Sequence, residues 1–120
     1  MTRQVLVVDD DLVNRKLARA MLARDGWEVS ECEDGPSALE QVRQQPFDAV
    51  LLDISLPGMS GETVCERLRE AHPGLFIVAY TAHTMPEDTE RMLAGGFDRV
   101  LLKPVTFAAL RTAFATQQAY

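Results

Sequence analysis

Ala49-Val50-Leu51-Leu52-Asp53 is the stretch that decides the fold. An apolar run ends abruptly in a carboxylate. The residues that follow, Ile54-Ser55-Leu56-Pro57-Gly58-Met59-Ser60-Gly61, do not readily continue either a strand or a helix. A short apolar run bounded by turn formers reads as a buried strand. Asp53 then stands at the carboxyl end of a central strand, at the edge of an open α/β sheet where ligands and chemistry collect.

The flanking sequence repeats the same alternation. Upstream, residues 5–8 are a β-branched apolar strand that runs directly into Asp9-Asp10-Asp11. Asp10 or Asp11 caps a first helix, with Leu12, Leu17, Ala20, Met21 and Ala23 as its apolar stripe and Asp25-Gly26 as its stop. Residues 27–32 partly alternate, as a strand nearer the sheet edge would. Asp34-Gly35-Pro36-Ser37 opens a second helix, with Ala38, Leu39 and Val42 on its apolar side, and Pro46 ends it. Residues 48–53 form the central strand. A third helix opens at Gly61 or Glu62, turns Val64, Cys65 and Leu68 inward and stops at His72-Pro73-Gly74. Residues 75–80 are a strand that ends in Thr81-Ala82. Pro86 starts a fourth helix, which Gly95-Gly96 closes; residues 100–102 are a strand that ends in Lys103-Pro104; Thr106 begins a last helix with Phe107, Leu110 and Phe114 on one face.

Strand then helix, five times over, predicts an α/β fold: one five-stranded parallel sheet flanked by helices. Right-handed crossovers leave few topologies, and 2-1-3-4-5, the flavodoxin-like doubly wound order, fits this count. The 120 residues suit one domain over the whole chain, 1–120. The apolar fraction of 47% and charged fraction of 25% are ordinary for a globular protein. A net charge of -6 argues against direct nucleic-acid binding. Cys32 and Cys65 lack metal-ligand spacing and read as reduced, buried thiols, which favours a cytoplasmic location. No apolar run approaches the roughly 18 residues of a membrane span, and no signal peptide is visible.

Polarity is concentrated at one edge of this sheet. The first strand ends in Asp9 and Asp10, the third in Asp53, the fourth in Thr81 and the fifth in Lys103. Two carboxylates ~4 Å apart repel by about 4 kcal/mol at an effective dielectric near 20, and a divalent cation relieves that repulsion. Oxygen ligands with room for waters suit Mg²⁺. Asp53 is then placed to attack a phosphoryl group and form an aspartyl phosphate. Lys103 and the cation screen the transferring oxygens, and Thr81 donates a hydrogen bond to one of them. Ser55 and Ala82 are small and leave room beside the acid. Each piece has a plainer use alone: the acids as helix caps, Thr81 as a turn residue, Lys103-Pro104 as a surface loop, His72 as a helix-end residue. Their fall at four strand ends in the right order is what points to chemistry.

These stretches — Val7-Val8-Asp9-Asp10, Leu51-Leu52-Asp53 with Leu56-Pro57-Gly58-Met59-Ser60-Gly61, Tyr80-Thr81-Ala82 and Leu101-Leu102-Lys103-Pro104 — resemble the receiver domain of two-component response regulators. The resemblance covers the chain from about Gln4 to the last helix. It implies that Asp53 accepts a phosphoryl group from a phosphohistidine on a histidine kinase or histidine phosphotransfer protein. It implies Mg²⁺ held by Asp10, Asp53 and the backbone carbonyl of Ser55, with Asp9 acting directly or through water. It also implies Thr81, Ala82, Lys103 and Pro104 as phosphoryl-binding and switch residues. A cis Lys103–Pro104 peptide belongs to the same set, against ~5–6% of X–Pro bonds generally. The implied output is a changed surface of the fourth helix, fifth strand and fifth helix, which controls a partner protein or an attached output domain. Such a domain is not an enzyme beyond its own phosphorylation and dephosphorylation. Ser55 and His83 stand where family members tune the lifetime of the phosphoryl group; a plain exposed loop residue is the simpler reading of His83. Val100 stands where many members carry a switch aromatic, and Phe97 is not at the equivalent place. Asn14 and the Val105-Thr106 ending resemble receivers attached to hybrid sensor kinases.

Three rival readings carry their own discriminators. A metal-dependent phosphatase with an aspartyl nucleophile usually needs a second acid two residues on, where this chain has Ser55. A flavodoxin-like cofactor binder needs a phosphate loop after the first strand, and three acids there repel phosphate. A receiver used only as a docking module has no need of the full set of acids and lysine.

Overall fold

The computed structural model describes residues 3–82 and 85–115. Its elements are β1 (Gln4–Val8), α1 (Leu12–Arg24), β2 (Glu28–Cys32), α2 (Gly35–Gln44), β3 (Ala49–Asp53), α3 (Gly61–Ala71), β4 (Phe76–Thr81), α4 (Pro86–Ala94), β5 (Arg99–Leu102) and α5 (Phe107–Ala115). All strand pairs are parallel and the order is β2-β1-β3-β4-β5, as the sequence predicts. Strand boundaries differ from the sequence reading by about one residue, the ordinary fraying of element ends.

Alternation along the strands builds two cores. Val5, Val7, Leu51, Val78, Tyr80 and Leu101 face α1 and α5, where they meet Ala18, Leu22, Leu110 and Phe114. Leu6, Val8, Val50, Leu52, Ile77 and Ala79 face α2, α3 and α4, where they meet Val42, Val64, Leu68 and Met92. Both faces of the central strands are buried, which is why β1 and β3 read as continuous apolar runs. Trp27, Phe76, Tyr80 and Phe114 gather on the first face, with Trp27 and Phe76 edge-on to Phe114 at 5.5 and 6.2 Å between centroids. Counting on by two carries Asp9, Asp53 and Lys103 to the α1–α5 side of the sheet and Thr81 to the other.

The helix starts follow local chemistry. Asp11 caps α1 by accepting from the amides of Val13 and Asn14, Asp34 caps α2 through Ser37, and Ser60 caps α3 through Thr63. Thr106 accepts from the amide of Ala109 at the start of α5. One expectation fails. Leu12, Leu17, Ala20 and Ala23 lie exposed on α1, and the helix instead turns Arg15, Ala18 and Leu22 inward. Ala18 and Leu22 supply the apolar part of that face, and Arg15 is accommodated beside them because the Asp9 carbonyl and the Glu31 carboxylate satisfy its guanidinium. Cys32 and Cys65 are both free and buried, as expected. Burial pushes their thiols up to about 12 and about 11, so neither is a thiolate at neutral pH.

Candidate functional site

β1 and β3 are adjacent, so Asp9 and Asp53 emerge side by side at the carboxyl edge of the sheet. Carboxylate oxygens of Asp9, Asp10 and Asp53 all lie within 4.8 Å of one another. Asp9 and Asp53 are buried, and Asp10 is open to solvent. Lys103, at the end of β5, extends across β4 to this group. Its Nζ is 3.3 Å from Asp53 Oδ1 and 3.5 Å from Asp9 Oδ2. The ammonium also sits over the ring of Tyr80, 4.7 Å from the centroid.

The backbone around the acids is held firmly. The Asp9 amide donates to the carbonyl of Cys32 at 3.2 Å, and the Asp9 carboxylate accepts from the amide of Asp11 at 2.9 Å. The amide of Ser55 donates to Asp53 Oδ1 at 3.0 Å. Gly61, the first residue of α3, packs on the backbone of Asp53: a Cβ there would fall inside contact distance of the Asp53 carbonyl oxygen and 2.7 Å from the Cα of Ile54. Gly58 has φ +77°, a left-handed turn in the β3–α3 loop, and the next residue, Met59, packs near Gly35 at the start of α2. Thr81 is buried at the end of β4, and its carbonyl accepts from the Lys103 amide at 2.8 Å. Ala82 and Pro104 are exposed, and the Lys103–Pro104 peptide is cis, as the resemblance implies. Val100 is half-buried against the cluster that contains Met92 of α4. His83 lies outside the described residues.

Burial raises the Asp9 carboxyl to about 6, against the opposing pull of the Asp11 amide and Lys103. The neighbouring Asp53 carboxylate adds to the rise. Asp9 Oδ2 has no hydrogen-bond partner among the described residues, although it is fully buried. The Lys103 ammonium, 3.5 Å away, offsets only part of the cost of burying that oxygen without a hydrogen bond. Here it faces two further carboxylates, and hard oxygen donors of this kind fit Mg²⁺. Asp9, Asp10 and Asp53 are therefore the residues that can hold a divalent ion.

The structure brings together Asp9, Asp10, Asp53 and Lys103, with Ser55 and Thr81 beside them. Sequence reasoning missed three residues around them. Arg15 is buried and donates to the Asp9 carbonyl; Glu31, on β2, holds Arg15; Tyr80 lies under Lys103. An arginine on a helix and a tyrosine in a strand give no signal until the fold places them.

A family model, the response regulator receiver domain, matches residues 5–115. The chain belongs to this family. Receiver domains are phosphoacceptor signalling modules of two-component systems. The chain is 41% identical over 114 residues to the sensor histidine kinase AruS of Pseudomonas aeruginosa, covering 92% of this chain and 11% of that protein. It is 40% identical over 100 residues to the probable transcriptional regulatory protein TcrX of Mycobacterium tuberculosis, covering 83% of this chain and 43% of that protein. The chain thus spans only a small part of the kinase and under half of the regulator. Among solved structures, the chemotaxis response regulator CheY4 of Vibrio cholerae superposes with a TM-score of 0.90 at 27% identity, covering 98% of this chain and 99% of that one. A putative response regulator from Chloroflexus aurantiacus superposes with a TM-score of 0.93 at 28% identity over the whole of both chains. Similarity to both sensor kinases and regulators agrees with the resemblance read from the motifs. Among the described residues, no helix of the receiver is long and apolar enough to cross a membrane.

Proposed function

We propose that this receiver takes a phosphoryl group from a phosphohistidine onto Asp53. The observation that supports this most directly is the cluster itself: three carboxylates within 4.8 Å, with one lysine 3.3 Å from Asp53. An Asp53 oxygen forms the new bond to phosphorus as the P–N bond of the donor breaks. The donor imidazole keeps the bonding pair and takes up a proton from solvent. Asp53 is held for this step by the Ser55 amide and by the close seat of Gly61 on its backbone. Lys103 supplies a fixed positive charge beside the acceptor, and Thr81 supplies a hydroxyl at the neighbouring strand end. Asp9, Asp10 and Asp53, with the Ser55 carbonyl, are the residues to hold Mg²⁺. When bound, the ion neutralises the acids and the incoming phosphoryl oxygens.

The donor is a histidine kinase or a histidine phosphotransfer protein, and the setting is cytoplasmic. Leu12, Val13 and Leu17 lie exposed on α1, directly after the acidic turn, and offer that donor an apolar landing beside the site. Phosphorylation adds about -1.5 to -2 charges and draws on Lys103 and Thr81. The response passes to the α4–β5–α5 surface, where Met85, Leu93 and Leu102 are exposed. With Val100 at the switch position, it passes without a rotating ring. The reader of this surface is a downstream protein or an attached output domain. Ser55, exposed beside Asp53, and His83 are the candidates for setting how long the phosphoryl group lasts.

The test is labelling with acetyl phosphate in the presence of Mg²⁺, read by intact mass. Wild type gains one phosphoryl group, and D53N gains none. Undiminished labelling of D53N removes Asp53 as the acceptor. Steady turnover of a phosphomonoester by the wild type points instead to a phosphatase.

A further inference from the structure

We propose that Arg15 is a positioning residue for the acidic pocket, holding the Asp9–Asp10 peptide so that both carboxylates face Asp53. The proposal rests on the metal-binding reading above and adds a residue to it. Arg15 closes the first turn of α1, and only 9% of its side chain is exposed. Nη1 donates to the Asp9 carbonyl at 2.9 Å, and Nε donates to Glu31 Oε1 at 2.9 Å. Glu31 is itself 12% exposed and is held on its other oxygen by Lys16 and Arg19. The guanidinium is thus a strut between the edge strand β2 and the turn after β1.

Burying a guanidinium is expensive, and an apolar side chain of similar length would fill the same space at less cost. What the arginine adds is its grip on one particular oxygen. A peptide unit is planar, so fixing the Asp9 carbonyl also fixes the amide nitrogen and Cα of Asp10. That sets the direction in which the Asp10 side chain leaves the backbone. With the Cys32 carbonyl on its amide and Arg15 on its carbonyl, Asp9 has both backbone groups tied from the β2 side. Three successive acids repel one another, and a buried cation behind them opposes the turn's tendency to splay.

The experiment is Mg²⁺ titration by calorimetry on the full chain, with the rate of acetyl phosphate labelling measured alongside. R15M should weaken Mg²⁺ binding about tenfold, the low end for loss of a group that orients metal ligands. R15K, which keeps charge and loses the two-sided grip, should fall between R15M and wild type. E31Q should weaken binding by less than R15M. R19M, which touches Glu31 and not Asp9, should stay close to wild type. At saturating Mg²⁺ the labelling rate of R15K should recover, which separates positioning of the metal acids from a role in the transfer itself. Folded R15M or R15K with wild-type Mg²⁺ affinity overturns the proposal. If R15M does not fold, R15K and E31Q decide, and wild-type affinity in both overturns it. If wild type itself takes up no Mg²⁺, the metal reading fails and this proposal with it; wild-type binding with indifferent Arg15 variants sinks the proposal alone.

Discussion

Asp48 and Asp98 stand at the amino-terminal edge of the sheet, just before β3 and β5; Asp9 and Asp53 stand at the opposite edge, at the ends of β1 and β3. The first pair joins neighbouring strands. Asp48 Oδ2 accepts from the Gln4 amide at 2.8 Å, and Asp98 Oδ2 accepts from the Ile77 amide and from Arg69, each at 2.8 Å. Arg69 also donates to the carbonyls of Pro73, Leu75 and Gly96, so a single guanidinium ties α3 to the starts of β4 and β5. Asp9 and Asp53 instead face each other across a shared lysine, and Asp9 Oδ2 has that ammonium 3.5 Å away and no hydrogen bond among the described residues. A concavity among Val42, Phe47, His72 and Leu75 lies at the amino edge, far from the acids. Shape and chemistry are therefore at opposite ends, and the chemistry decides. The acids at the amino edge accept from amides of other strands; those at the carboxyl edge accept, among the described residues, only from amides two residues on in their own turns, and crowd one another.

The contrast can be broken by substitution and by pH. The largest effect on stability is expected at Gly61. G61A forces a methyl group against the backbone of Asp53 and should cost about 3 kcal/mol in denaturant unfolding, while weakening Mg²⁺ binding. Normal stability and normal binding in G61A would mean that the seat on Asp53 is not required.

The pH response comes next. The folded Asp9 carboxyl titrates near 6, raised by burial from an ordinary 3.8. Between those values the unfolded chain loses its proton while the folded chain keeps it. Stability is therefore lost as pH rises from about 4 to about 6 in metal-free buffer, and the loss persists above 6. Its size is on the order of 2–3 kcal/mol, read as the difference between wild type and D9N. Saturating Mg²⁺ should remove that difference. Parallel profiles for the two proteins would show that Asp9 is not under strain.

At the other edge D98A should destabilise by about 2 kcal/mol, since it removes charged hydrogen bonds to Arg69 and to a strand amide. Acetyl phosphate labelling of the folded fraction should be unchanged. The smallest effect has the opposite sign. D53N abolishes labelling yet should stabilise the metal-free protein by about 1 kcal/mol, because a buried like charge is removed beside Asp9. Destabilisation by D53N would place its carboxylate with the stitching acids.

Most of this arrangement was legible because it follows from period and punctuation. Alternating strand and helix patterns predict the sheet order, and polar residues at four strand ends mark the edge that carries the site. The topology brings them together: β1 and β3 are neighbours, and Lys103 is long enough to reach back from β5. The residues that escaped are those whose role depends on direction. Arg15 lies on a helix that hydropathy orients the wrong way, because hydropathy ranks Leu12 and Leu17 as core and arginine as surface. Hydropathy also takes no account of the Asp9 carbonyl and Glu31 carboxylate that satisfy the buried guanidinium. Tyr80 is buried like any strand aromatic, and only its register beside β5 puts the ring under Lys103.

One further consequence attaches to the shared lysine. Three carboxylates and a single ammonium leave a formal charge of -2, equal and opposite to that of one divalent ion. An ion that enters must therefore displace whatever proton Asp9 retains, and a proton that returns must loosen the ion. With Mg²⁺ held as proposed, acidity and ion occupancy are reciprocal, so acetyl phosphate labelling at limiting Mg²⁺ should weaken as pH falls through about 6, before any partner has touched the receiver.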